Sequence, residues 1–447
     1  MKKIAVGVGL MLVAAAAAAV LLRPRRTVTT SSPAAYAEYQ AGQEDKQRMY
    51  SNDAERHFRA ALAKDPRFLM AMVELASVEM GRRSAETKEL LERAERERDG
   101  VTRRERLALD LLRALSAGKQ DDATALARTL KEDYRDPLAY ETLSRVLLQE
   151  GKTEEAQAIY RDWLRASPNE ALAYNNLGYS AAYRGDYDEA IADLKKYAYL
   201  APDQANPFDS LGEIETGCGR YEDAIADFQH ALRIKPDFDP SWQHLGLAHE
   251  GKGDYPGARE AYEKAWTVSK TDIERMQIGL DLFYLILIHG DLAAARQVAD
   301  RIAALHPEEF PDVSPILAPI LVSAGGNPRQ ALAELDAVHI ASPKEARKKE
   351  WIERLTAQAR AYVLRDAGRL PDSAAAFERL IRPPGKDRSL SEQLTSERCR
   401  AELARLKLRM GDRAAARALI ETNRRVNPRL PETLRANAEL AAIEGHA

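Results

Sequence analysis

The chain has 447 residues, with 66 Lys and Arg against 69 Asp and Glu and a formal net charge of −3. So even a balance leaves no electrostatic footprint for nucleic acid, and none is expected as a partner. Ile4 to Leu22 is an unbroken apolar run of nineteen residues, long enough at helical rise to cross a bilayer core. Lys2 and Lys3 precede it; Arg23, Arg25 and Arg26 follow. Residues 1–26 read as an uncleaved signal anchor, because the run continues past its alanines through Val20, Leu21 and Leu22 into arginines. A cleavable secretory signal is the alternative. Positive charge is almost balanced across the segment, so orientation rests on the tendency of a short signal-like N-terminus to stay inside. The remainder is then expected outside the cytoplasm. Residues 27–35, rich in Thr and Ser, read as a flexible tether.

Residues 36–135 carry fragments of a pattern: Ala54, Phe58, Ala61 and Pro66, then Gly118, Ala123, Ala127 and Leu130. Between them, Glu92 to Arg106 mixes both charge signs and reads as a solvated helical face. Thr102 and Glu105 form a capping box at a helix start.

From 136 to 270 the pattern becomes regular. Leu143, Leu177, Leu211 and Leu245 recur every thirty-four residues, each followed by a small residue, Ser144, Gly178, Gly212 or Gly246. Ala156, Ala190, Ala224 and Ala258 keep the same step, as do Tyr160, Leu194, Phe228 and Tyr262. Glycines 151, 185, 219 and 253 separate the two groups, and Pro168, Pro202 and Pro236 close three of the blocks. A period of this length means a stack of small units instead of one globular core. In each unit the apolar spacing gives two short amphipathic helices. Gly185 ends the first, Asp186 suits the start of the second, and Pro202 stops it. Gly178 and Ala190 let the two backbones come close.

After the middle, looser units follow at Gly290, Ala295, Ile302 and Pro307; at Ala331, Leu335, Val338 and Pro343; and at Gly368, Phe377 and Leu380. These occupy 271–381. Residues 382–391 read as a linker, as does the stretch from Pro311 to Pro315, and 392–447 as a last unit with a cap around Gly411, Ala416, Ile420 and Pro428. About nine units are expected. Cys218 and Cys399 fall several units apart, too far for a disulfide, and are expected to be free.

An aromatic at Tyr140, Tyr174, Phe208 or Trp242, then leucine and glycine, then alanine, a bulky residue and proline, resembles the tetratricopeptide repeat. The resemblance implies an all-α, right-handed superhelical solenoid that binds proteins. In that family the first helix of each pair lines a concave groove where extended peptides lie. Carried onto this sequence, the groove residues are Glu141 and Arg145; Asn175, Tyr179 and Tyr183; Asp209, Glu213 and Thr216; and Gln243, Leu247 and Glu250. Asparagine offers a peptide both donor and acceptor, and tyrosine a rigid face with a polar tip. The acidic pair Asp209 and Glu213 favours a ligand with basic or hydrogen-donating groups. The subclass that grips chaperone tails needs lysine and asparagine where this chain has Glu141 and Arg145, and Asn206 and Ser210 replace its basic pair. Only Asn176 matches, so that ligand is not expected.

The wording from Tyr197 to Phe238 also resembles repeat regions of bacterial membrane-bound serine/threonine kinases and related signalling proteins. That points to a single-pass protein of a bacterial inner membrane with a periplasmic repeat domain, or a secreted one if the signal is cleaved. Catalytic signatures are missing: Gly251-Lys252-Gly253 lacks the spacing of a phosphate loop, and no His-Glu-x-x-His or Gly-x-Ser-x-Gly segment occurs. His244 and His249 are five apart, off one helical face, and read as packing or surface residues. No enzyme, cofactor or metal is expected. The reading is a membrane-anchored scaffold for protein partners, with a sensory or regulatory module of a signalling system as the alternative.

Overall fold

A computed structural model of the chain describes residues 28–80, 83–149, 152–305, 312–340, 346–382 and 390–445. Among the described residues every regular element is a helix, and twenty-three α-helices follow one another in pairs. The first pair is α1 (Pro33–Gln47) and α2 (Ser51–Lys64), the second α3 (Leu69–Glu79) and α4 (Ser84–Arg96), the third α5 (Arg103–Ser116) and α6 (Gln120–Tyr134). The regular middle is α7 (Pro137–Gln149) with α8 (Thr153–Ala166), α9 (Ala171–Tyr183) with α10 (Tyr187–Leu200), α11 (Ala205–Gly217) with α12 (Tyr221–Ile234), and α13 (Asp239–Lys252) with α14 (Tyr255–Val268). Then come α15 (Asp272–Ile288) and α16 (Leu292–Ala303), α17 (Ser314–Ala324) and α18 (Pro328–Ala337), and α19 (Ala346–Asp366) and α20 (Leu370–Leu380). The last pair is α21 (Leu390–Arg409) and α22 (Arg413–Val426), with α23 (Pro431–Glu444) laid against it.

Local chemistry builds each pair. Gly185 and Gly253 turn the chain at φ +82° and +83°, a region that favours glycine. The aspartate that follows caps the second helix: Asp186 accepts from the Glu189 amide at 3.2 Å and Asp254 from the Gly257 amide at 3.1 Å. Asp291 and Asp412 repeat the arrangement, each cap contributing about 1 kcal/mol. The small residues after the repeating leucines are needed for close approach. A methyl at Gly178 would fall 2.7 Å from Leu194 Cγ, at Gly212 2.8 Å from Phe228 Cε1, and at Gly246 2.5 Å from Tyr262 Cε1. Ala156, Ala190, Ala224 and Ala258 are all fully buried. Helices touch mainly their neighbours in the chain, so the buried side chains form a succession of local clusters and not one central core.

Three expectations need revision. The chain holds eleven pairs among the described residues, more than the nine expected. The unforeseen pair is α3–α4: Leu69 to Ala76 are buried on every side and only Glu74 among them is charged, so α3 lacks the polar stripe that would show a helical period. The Glu92–Arg106 stretch is not one helical face but the end of α4, a 3₁₀ turn at Arg98–Gly100 and the start of α5, where the Thr102–Glu105 capping box does form. Residues 28–32, read as part of a free tether, are held. The Thr29 amide and hydroxyl donate to Glu105 at 2.6 and 2.7 Å, and the Thr30 hydroxyl donates to Asp65 at 2.5 Å.

No helix among the described residues is long and apolar enough to cross a membrane. The expected anchor at 1–26 lies outside the described residues, as do 383–389 of the expected linker at 382–391. Cys218 and Cys399 are both free thiols.

The stack also coils back on itself. At one seam the Tyr50 hydroxyl, just before α2, accepts from the Ala205 amide at 3.0 Å, and Lys235 after α12 donates to Asp53 at 2.8 Å. The Tyr50 ring meets Phe238 edge-on. At the other seam α21 and the α22–α23 connection lie on α11 to α13. The α11–α12 pair is therefore gripped from both ends of the chain.

Candidate docking surface

Polar side chains on the first helices α9, α11, α13 and α15 meet one another along the stack. On α7 the Glu141 carboxyl is half-buried, and burial pushes its pKa up against the pull of Lys46 from α1 and of Arg145. Arg145 itself is exposed. Lys46 reaches across from α1 to donate to Glu74 on α3 at 2.6 Å.

One turn further along the stack, Asn175 of α9 is buried and its Oδ1 has no hydrogen-bond partner among the described residues. The Tyr179 hydroxyl donates to Glu213 of α11 at 2.5 Å. Burial, with Glu213 and Glu392 nearby, pushes the Tyr183 hydroxyl up to about 12. Glu213 also accepts the Leu390 amide of α21 at 3.3 Å.

Asp209, one helical turn before Glu213, is buried and accepts the Ser241 hydroxyl at 2.8 Å and His244 Nδ1 at 3.1 Å. Burial alone would push His244 down. Asp209 overrides it, helped by Glu213 and Asp281, and holds the ring at about 9, so the imidazole is charged at neutral pH. Gln243 donates to Asp281 of α15 at 2.8 Å, and burial raises Asp281 to about 6. Glu250, at the end of α13, pairs with Arg398 of α21 at 2.8 Å and accepts the Tyr262 hydroxyl at 3.0 Å.

The expected groove residues thus divide. Tyr179, Asp209, Glu213, Gln243 and Glu250 join one polar strip running over α9, α11 and α13. Thr216 and Leu247 do not open into it: Thr216 is fully buried with its hydroxyl on the Gly212 carbonyl, and Leu247 belongs to an apolar cluster. The physical reason is the second seam. With α21 across it, α11 keeps only Phe208 and Glu213 short of full burial.

Two members of the strip escaped the sequence. The five-residue spacing from His249 reads His244 as a packing or surface residue, yet it follows Asn176 and Ser210 at thirty-four residues, next to Asn175, Asp209 and Gln243. That adjacency was the available signal. Asp281 sits on the longer helix α15, thirty-four residues after Leu247 and so in step with Tyr179 and Glu213, but beyond the four regular blocks that end at residue 270. His249, in contrast, does have a local role, bonding to the Asp254 cap at 2.8 Å. Among the described residues no group of three or more His, Cys, Asp and Glu could hold a metal ion.

At the edge of the strip a cleft of about 250 Å³ opens along the second seam. Glu250, Tyr255, Leu285 and His289 line one wall; Pro431, Glu432 and Arg435 line the other.

A family model described as tetratricopeptide repeat matches residues 111–171, 142–205 and 212–267. Comparison with curated proteins gives no match. Among solved structures, the Cut9–Hcn1 hetero-tetramer of the APC/C is similar over 96% of this chain and 81% of that one, at 13% identity and a TM-score of 0.45. A tetratricopeptide repeat protein from Parabacteroides merdae is similar over 57% of this chain and 98% of that one, at 15% identity and a TM-score of 0.40. Pseudomonas aeruginosa pilF is similar over 49% and 91%, at 20% identity and a TM-score of 0.36.

Proposed function

From a chain that carries tetratricopeptide repeats through its middle, we propose a membrane-anchored scaffold that docks a protein partner on the inner helix faces. The observation that carries this reading is the strip of polar side chains from Tyr179 to Glu250. Stacked helices hold together through apolar faces, and the run of buried and half-buried carboxylates there goes beyond what that stacking needs, although groups of the same chain satisfy them. Asp209, Glu213, Asp281 and Glu250 outnumber the single cationic ring of His244, so the surface suits donors: guanidinium, amide or ammonium groups. Arg145, Tyr183 and Glu141 supply the more open end of the same wall. The nineteen-residue apolar run supports the anchor.

The test is capture from membranes with the full chain as bait, in parallel with Tyr179→Ala and Arg145→Glu. A protein retained by the wild type and lost from both variants, with helical circular dichroism unchanged, is the expected result. Equal capture by all three would sink the reading. The anchor is checked separately, by whether alkaline carbonate leaves the chain in the membrane fraction, and its side by protease accessibility in intact spheroplasts.

A further inference from the structure

The second seam joins residues 177 positions apart, and its chemistry differs from that of the stack. The Glu213 carboxylate takes the first amide of α21, where a helix N-terminus favours negative charge. The Gln393 side chain donates to the Gly217 carbonyl at 3.0 Å, and Arg398 pairs with Glu250 at 2.8 Å. Positions 390, 393, 394 and 398 share one face of α21, and Leu390 and Leu394 on that face are buried. The wall is shaped to receive it. A methyl at Gly217 would lie 3.2 Å from Gln393 Oε1, and one at Gly219 2.7 Å from Asn427 Oδ1.

So a helix lies on the strip, presenting to it the donors that the strip's carboxylates call for. The centre of the contact is apolar, with Leu390 and Leu394 in one buried cluster with Leu247 of α13, and its rim is weakly held. The Arg429–Glu222 pair at its rim leaves both side chains about half exposed, where water and salt screen the attraction. The cleft beside Glu250 and Glu432 shows that the two walls do not close fully.

We propose that α21 is a built-in occupant of the docking strip, and that the partner the strip takes is a helix with the same face: a free N-terminal turn, leucines, and amide and guanidinium donors spaced like Gln393 and Arg398. The partner displaces α21 with its unit, as one body, from α11 and α13. This rests on the reading of the strip as a docking surface, and names what docks there.

The experiment uses the full chain with Cys218→Ser and Cys399→Ala, carrying spin labels at Lys252→Cys and Leu434→Cys on the two sides of the seam. The probe is a peptide of residues 390–409, with Ser at the cysteine position. One short label-to-label distance is expected at low salt, with a second, longer population in 1 M NaCl, on adding peptide, and in an Arg398→Glu background. That background should bind the labelled peptide at least tenfold more tightly than the parent chain, and a peptide carrying Arg398→Glu should not bind. A single short distance under every condition overturns the proposal. So does an opened chain that ignores the peptide, or one that closes by forming a dimer, since the strip then takes a second copy. Should Arg398→Glu lose helicity, the salt and peptide titrations of the parent chain decide alone. Partner capture by the wild type that persists when the peptide fails leaves the scaffold reading standing and removes only this inference.

Discussion

The α11–α12 pair approaches its neighbour in sequence and its neighbour across the coil by opposite means. Within the pair, the Phe228 ring fills the space left by Gly212, and Ala224 and Ala231 are fully buried beside it. Across the second seam, the same pair offers Glu213, Tyr221 and Glu222 to an amide, an Asn427 side chain and the Arg429 guanidinium. Apolar interlocking is indifferent to salt and tolerates no change of volume. Ionic and hydrogen-bonded contact is weaker, tunable and forgiving of small displacements. On the proposal above, a coil built this way keeps its pairs intact while its turns separate.

The hardest blow to that comparison falls on the pair itself. Phe228→Ala should cost about 3–5 kcal/mol, read as a drop in the urea midpoint of helical circular dichroism; a loss below about 1 kcal/mol would mean the stack is not held by such rings. His244 comes next, because it links the two kinds of contact. Its folded-state pKa of about 9 lies above the roughly 6.5 of a free histidine. The stabilisation is therefore complete below about pH 6.5 and is lost as pH climbs through 9, a change on the order of 1–3 kcal/mol. Raised carboxyls such as Glu215, pushed to about 8 by burial with Asp227 and Asp223 close by, add a decline of the same sign. The informative quantity is the difference between wild type and His244→Gln, which should shrink between pH 6 and 9.5. A constant difference would remove His244 from the account.

Gly212→Ala sharpens the comparison further, since a methyl 2.8 Å from the Phe228 ring should overpack the pair by about 1–3 kcal/mol, equally at low and high salt. Arg429→Ala should have the smallest effect: a slight fall in the urea midpoint at low ionic strength that vanishes in 1 M NaCl. If instead Gly212→Ala were the salt-dependent one, the division between stack and seam would be wrong.

The regular middle was legible because each unit repeats the same steric problem: a leucine to bury, a gap for a ring, a turn that needs glycine. Positions 143, 177, 211 and 245 could be aligned without coordinates. The α3–α4 pair was not, because Leu69 to Ala76 carry a single charged residue, Glu74, among apolar ones, too little polar face to show a period. Groove residues were placed by phase alone, and phase gives the direction a side chain points but not what lies opposite. Thr216 and Leu247 were misjudged for that reason. How many pairs complete one turn of the coil depends on small angles summed over the stack, which no single repeat encodes, so the contact of residue 213 with residue 390 had no sequence signal. Glu213 and Glu250 read from the repeat phase as ligand-facing, and the structure gives them the Leu390 amide and Arg398 of the same chain.

One carboxylate near the leading end has wider reach. Glu105 accepts the amide and hydroxyl of Thr29 and, through the capping box, the amide and hydroxyl of Thr102. The mooring of residue 29 and the first turn of α5 thus share a single anchor point. Tension on the leading segment would be delivered not to α1, where the chain next goes, but to a helix start two pairs further on. The front of the molecule is a lever whose fulcrum sits in the third pair, and Glu105→Ala should slacken both arms at once.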